Sequence, residues 1–348
     1  MVEYLDGGRI QGSSTLTVPP AKTSWKELDR VTLGSTGDTL DTSTFTAKDN
    51  IMFQFHILRP SSGDQNIRIR FNGDSGSNYS ERYSLNGGTD ATATSQANIA
   101  LHSGVVNENF GCFTFVNTAS KEKLCIGHVT GSNADGAGNA PSSREQIFKW
   151  ANTSDQVTRI EIVNTSTGDF EAGSELVVLG CDNDEADGGT PYWERLADFT
   201  QTTAGDAMDT GTFTSKKYLW IQVHEIADGA LDMNYLRFNA DSGNNYSFRK
   251  ANNGAASDTN TSISGVLYAT HNGSVDHYAE FFIVNKSDKE KLITGTCTDS
   301  NSNNQEPRRK EFTSKWVNTS SQITSVQTAN GGSGNIGVGS RITVWGAN

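Results

Sequence analysis

Proline is scarce in this chain, at 6 of 348 residues, and cysteine is scarcer, at 4. A collagen-like design needs far more proline and a strict glycine period, so the 35 glycines do not indicate one. Cys112, Cys125, Cys181 and Cys297 have no C-x-x-C spacing and no histidine cluster beside them. That excludes the common zinc patterns and predicts free, mostly buried thiols. No run of 18 apolar residues occurs, so no membrane-spanning helix is encoded and no membrane insertion is expected. Basic charge is also short: 28 Lys and Arg stand against 40 Asp and Glu, a net charge of -12. With no basic stripe, direct nucleic-acid contact through phosphates is not expected. The start, Met1 to Gly8, lacks the basic and apolar segments of a secretory leader, which predicts folding in the cytoplasm where the chain is made. Catalytic signatures are missing as well. There is no Gly-x-Ser-x-Gly elbow, phosphate loop or His-Glu-x-x-His. We therefore expect no catalytic residue, no cofactor and no enzyme activity.

What is present is a long internal repeat, with a period of about 167 residues. Trp25-Lys26-Glu27-Leu28 returns as Trp193-Glu194-Arg195-Leu196, and Lys121-Glu122-Lys123-Leu124 as Lys289-Glu290-Lys291-Leu292. Arg70-Phe71-Asn72-Gly73-Asp74-Ser75-Gly76-Ser77-Asn78-Tyr79-Ser80 returns as Arg237-Phe238-Asn239-Ala240-Asp241-Ser242-Gly243-Asn244-Asn245-Tyr246-Ser247. Lys149-Trp150-Ala151-Asn152-Thr153-Ser154 returns as Lys315-Trp316-Val317-Asn318-Thr319-Ser320. The matches are collinear across each half, so one whole domain is duplicated. The expected division is an arm at 1–23, a first domain at 24–182, an acidic Gly-rich linker at 183–190 and a second domain at 191–348.

Strand signals dominate both copies. Phe53, Phe55 and Ile57 alternate with Gln54, His56 and Leu58, and Leu219, Ile221 and Val223 with Trp220, Gln222 and His224. Such period-two alternation predicts half-buried strands. Clusters such as Asn72-Gly73-Asp74-Ser75-Gly76 and Asn86-Gly87-Gly88 mark turns. No stretch carries a helical pattern. The expected fold is all-β: two tandem duplicated β-sandwich or jelly-roll domains of roughly eight strands each, behind an N-terminal arm.

Few residues point to chemistry. Asn72 and Asp74, with Asn239 and Asp241 in the second copy, place oxygen ligands at alternate positions, as a calcium loop would. The acids and bidentate glutamate of an EF-hand are absent, so an Asx turn leading into Tyr79 or Tyr246 is the preferred reading. His56 and His224 are equivalent strand residues with no partner histidine. Arg70, Arg237, Arg82 and Arg249 are expected to serve as fold-stabilising ion pairs or rim contacts, with pairing to Asp74 and Asp241 or lining a ligand groove as the alternatives. Trp25, Trp193, Trp150 and Trp316 fit a core role better than an exposed carbohydrate platform. No ligand-binding residue can be named beyond these.

The arm Tyr4-Leu5-Asp6-Gly7-Gly8-Arg9-Ile10-Gln11-Gly12, the Arg-Phe-Asn-x-Asp-Ser-Gly-x-Asn-Tyr-Ser loop and the Lys-Trp-x-Asn-Thr-Ser stretch resemble a group of repetitive β-rich proteins of marine and environmental viruses. The resemblance implies a structural virion component, made in the host cytoplasm and carrying no family catalytic residues. Its partners would be copies of itself and other virion proteins, in a capsid, decoration, or spike or fibre role. The alternative expectation is a carbohydrate-binding adhesion module whose partner is a host glycan.

Overall fold

The computed structural model describes residues 4–5, 8–10, 16–17, 25–59, 63–104, 108–183, 190–229, 233–270, 275–300 and 306–348. In the arm, strands Tyr4–Leu5, Gly8–Ile10 and Leu16–Thr17 form a small antiparallel sheet. The rest of the arm and most of the linker lie outside the described residues.

Each copy folds as an antiparallel sandwich of one eight-stranded and one four-stranded sheet. In copy 1 the large sheet runs, edge to edge, through Lys26–Thr32, Glu175–Cys181, Asn50–Ile57, Asn109–Val116, Lys123–Gly131, Ser142–Trp150, Tyr79–Leu85 and Ala91–Gln96. The small sheet runs through Ile99–Gly104, Gln65–Phe71, Ile160–Asn164 and Thr39–Asp41. Copy 2 repeats this order. Its large sheet is Glu194–Thr200, Arg341–Ala347, Tyr218–Glu225, His277–Val284, Lys291–Asp299, Arg308–Trp316, Tyr246–Asn252 and Asp258–Ile263. Its small sheet is Val266–Thr270, Met233–Phe238, Val326–Asn330 and Ala207–Asp209. The all-β sandwich read from the alternation is therefore the fold. The count of roughly eight strands per copy falls short of the eight plus four found. The sheets are unequal because the meander Asn109–Val116, Lys123–Gly131, Ser142–Trp150 stays in one layer instead of crossing between layers.

Inward alternation builds a core in each copy. In copy 1 Phe53, Phe55, Ile67, Ile69, Phe71 and Phe113 meet between the sheets, with Phe53 stacked on Phe113 at 5.1 Å. In copy 2 Leu219, Ile221, Leu236, Phe238, Phe281 and Ile283 do the same. Each such side chain contributes about 1.5–3 kcal/mol by leaving water.

A third apolar cluster belongs to neither sandwich. Met52, Phe110, Cys112, Val177 and Leu179, from the outer face of the copy 1 large sheet, meet Trp193, Tyr218, Val284, Leu292 and Ala347 of copy 2. The two large sheets thus pack on each other, and the molecule is layered small, large, large, small. This changes the strand reading. Alternation with Gln54 and His56 implies a solvated outer face, yet Gln54 is 1% and His56 0% exposed, because copy 2 covers them. The equivalent His224 stays exposed.

Candidate functional site

The duplicated loop is built twice in the same way. Asn72 and Asn239 both sit at φ 53, a left-handed conformation that asparagine tolerates in turns. Asp74 accepts a hydrogen bond from the Gly76 amide at 2.8 Å, one from Asn78 Nδ2 at 2.9 Å and one from Trp150 Nε1 at 2.7 Å. Asp241 accepts the same set from Gly243 (2.9 Å), Asn245 (2.9 Å) and Trp316 (2.7 Å). The Tyr79 hydroxyl accepts from the Phe71 amide and donates back to the Asp74 carbonyl, and Tyr246 repeats this. Burial pushes both carboxyls up. The bonds from tryptophan, asparagine and glycine outweigh it and hold Asp74 and Asp241 below the ordinary carboxylate range.

This geometry is that of the preferred turn reading, and it separates the two calcium candidates of each loop. Asn72 turns away from Asp74: its Oδ1 accepts from the Thr158 and Arg159 amides, and its Nδ2 donates to Gln156 O. Asn239 does the same with Thr324, Ser325 and Gln322. The oxygens of Asn72 and Asp74, and of Asn239 and Asp241, therefore face N–H donors rather than a shared cation. The loop is a latch that ties a turn to the core tryptophan. Among the described residues, no group of three or more His, Cys, Asp or Glu could hold a metal ion.

The arginines pair elsewhere than with the loop aspartates, as ordinary ion pairs and rim contacts do. Arg70 pairs with Glu161 at 3.4 Å, not with Asp74, and Arg82 with Asp90 at 3.4 Å. Arg237 donates to Ser264 O. Arg249 reaches across to copy 1 and donates to Pro141 O at 2.9 Å. The tryptophans divide by role. Trp150 and Trp316 are sandwich-core residues, while Trp193 and the half-buried Trp25 belong to the seam between copies. None of the four forms an exposed sugar platform.

The seam is where charge converges, and the sequence did not announce it. Glu175, 3% exposed in its side chain, receives Lys217 Nζ at 2.6 Å, the Tyr218 hydroxyl at 2.7 Å and Arg30 at 2.8 Å. Burial raises its carboxyl. The hydrogen bonds, led by Lys217, outweigh burial and leave it below its ordinary value. Lys289 faces Glu108 at 3.5 Å, and Thr130 Oγ1 donates to Ile293 O at 2.8 Å. The copy 1 segment 132–141 lies on the copy 2 sheet: Gly136 donates to Glu290, Ser247 to Asn139 O, and Lys315 to Ser132 O and Ala134 O. Two further polar clusters are enclosed in copy 2. Glu225 accepts from Asn234 at 2.5 Å, and Asp299 is held by Arg308 at 2.7 Å and Lys310 at 3.0 Å.

Two of the concave features among the described residues involve the copy 1 large sheet. One is a cavity of about 320 Å³ between the large sheets, lined by Met52, Cys112, Ile126, Trp220, Glu280 and Phe282. Trp220 and Phe282 stack at 5.7 Å, and the buried Thr294 hydroxyl on its wall has no hydrogen-bond partner. Burial raises the Glu280 carboxyl. The other is an open groove of about 520 Å³ on the copy 1 large sheet, floored by Leu124, Ile126 and Ile147 and rimmed by Ser80, Arg82 and Lys149. These three apolar side chains are 65%, 60% and 50% exposed.

No family model and no curated protein matches the chain. Among solved structures, domains LG4-5 of the mouse laminin alpha1 chain align over 96% of this chain and 93% of that one, at 11% identity and TM-score 0.20. A T=3 Penaeus vannamei nodavirus structure aligns over 100% of this chain and 96% of that one, at 8% identity and TM-score 0.17. The chain is a pair of all-β sandwich modules joined through their large sheets.

Proposed function

We propose that this protein works by assembly, as a structural building block of a virion surface or shell, rather than by catalysis. One observation carries the reading. Leu124, Ile126 and Ile147 form an exposed apolar face on a large sheet, whereas the equivalent face of copy 2 is covered. Contiguous exposed apolar surface of this kind marks interaction sites. The virion context rests on the resemblance of the arm and the duplicated motifs. The test is the mass of the full-length protein by light scattering after size-exclusion chromatography, with electron microscopy of the same fraction. Multimers or shell-like particles are expected. A 37.5 kDa monomer at every concentration would overturn the reading.

The cavity between the sheets favours a second reading, a glycan-binding adhesion module. Stacked Trp220 and Phe282, with Glu280 and the Thr294 hydroxyl, combine apolar ring faces with polar groups, as a sugar site does. Binding on a glycan array that Trp220→Ala removes would support it, and silence across the array would remove it.

A further inference from the structure

The duplication allows the two large sheets to be compared position by position. Leu124, Ile126, Ile147 and Lys149 correspond to Leu292, Thr294, Thr313 and Lys315. The copy 2 set is buried, Leu292 at 0%, Thr294 at 2% and Thr313 at 1% exposed. Four polar groups of copy 2 grip the copy 1 segment that covers it: Ser247, Arg249, Glu290 and Lys315. Their counterparts Ser80, Arg82, Glu122 and Lys149 stand around the copy 1 groove, where only local partners engage them. The groove thus carries the same grip over a more apolar floor, since Ile126 and Ile147 replace two threonines.

The end of copy 1 that covers copy 2 also has an unused counterpart. Asn86, Glu108, Phe110 and Thr130 contact copy 2. The equivalent residues in copy 2 are Asn253, Asp276, Tyr278 and Thr298, and Tyr278 is 39% exposed. The charges match as well. Glu108 faces Lys289 within the chain, and the corresponding residues are Asp276, whose carboxylate accepts from the Ala227 amide, and Lys121, again acid against base.

Resting on the assembly reading above, we propose that a second copy of this chain occupies the Leu124–Ile126–Ile147 groove. It would present the Asn253, Asp276, Tyr278 and Thr298 end of its second sandwich, the counterpart of the Asn86, Glu108, Phe110 and Thr130 end that meets copy 2 within one chain. The contact is heterologous, so each chain keeps one free donor end and one free acceptor face. Such a contact propagates as a ring or an open row.

The test is sedimentation velocity over a concentration series on the full chain and on three kinds of variant. Leu124→Glu is expected to weaken self-association about tenfold or more, with its melting temperature unchanged because the side chain is exposed. Lys121→Glu and Asp276→Lys are each expected to weaken it, and the double variant to restore it. A wild-type chain that associates as strongly as all the variants would overturn this surface and leave the assembly reading intact. A wild-type chain that never associates would overturn both.

Discussion

At the residue scale, the duplicated loop shows how a motif can look like a ligand site and serve the fold. Asp74 and Asp241 each accept an indole N–H, an amide side chain and a backbone amide, so each carboxylate is engaged by donors of its own loop and core. Asp74→Ala and Asp241→Ala are each expected to cost about 1–3 kcal/mol, the range for leaving one buried donor, the indole N–H of Trp150 or Trp316, without its charged partner. Urea midpoints measure that loss. Millimolar calcium is expected to leave the wild-type midpoint where it is, and an upward shift would restore the calcium reading. Glu225 makes a different prediction. Burial pushes its carboxyl up to about 7, although Tyr268, Thr328 and Asn234 oppose this. The folded value lies above the unfolded one, so its share of stability is complete below about pH 4 and lost as pH rises through about 7. Glu225→Gln is expected to flatten the stability profile between about pH 5 and pH 8 in thermal melts.

At the scale of elements, the outer face of strand Asn50–Ile57 explains why pattern and burial disagree. A strand that alternates Phe and Ile with Gln and His reads as solvated on one side. Here the polar side meets a second sheet, and Gln54 leaves both amide atoms without a hydrogen-bond partner. The seam draws its specificity from charged groups instead. Lys217→Ala leaves Glu175 with Arg30, Thr32 and Tyr218. The expected cost is about 1–3 kcal/mol, below that of stranding a charge completely. Because Glu175 is held below its ordinary value, that contribution is present above the unfolded carboxyl value and lost as pH falls through the folded one. A loss of the same size at neutral pH and at acid pH would contradict this assignment.

For the whole molecule, a shared apolar cluster joins two sandwiches that each have a complete core of their own. Tyr218 stacks near Phe110 at 6.4 Å, and the charged contacts flank that cluster. We expect calorimetry of the full chain to show one cooperative transition, since unfolding either copy strips the cover from the other. Two separated transitions would mean that the seam contributes little. The same view separates the copies functionally. The copy 2 large sheet is gripped by copy 1, while the matching copy 1 face is open. Duplication therefore yields one used and one unused version of the same surface.

Much of the architecture is legible in the residues alone. Alternating apolar positions set the strands, Asn- and Gly-rich clusters set the turns, and the collinear repeat shows two like domains. These are local properties, governed by side-chain period and backbone preference. The strand count was less legible, because short polar strands such as Ala91–Gln96 and Asp258–Ile263 carry little apolar pattern and gain their place by pairing with a neighbour. The site was least legible. The repeat makes Leu124 and Leu292 equivalent in sequence, yet one is 65% exposed and the other 0%. Only the packing of one sheet on the other decides which is covered, because that contact joins residues more than 100 positions apart and is not symmetric between the copies.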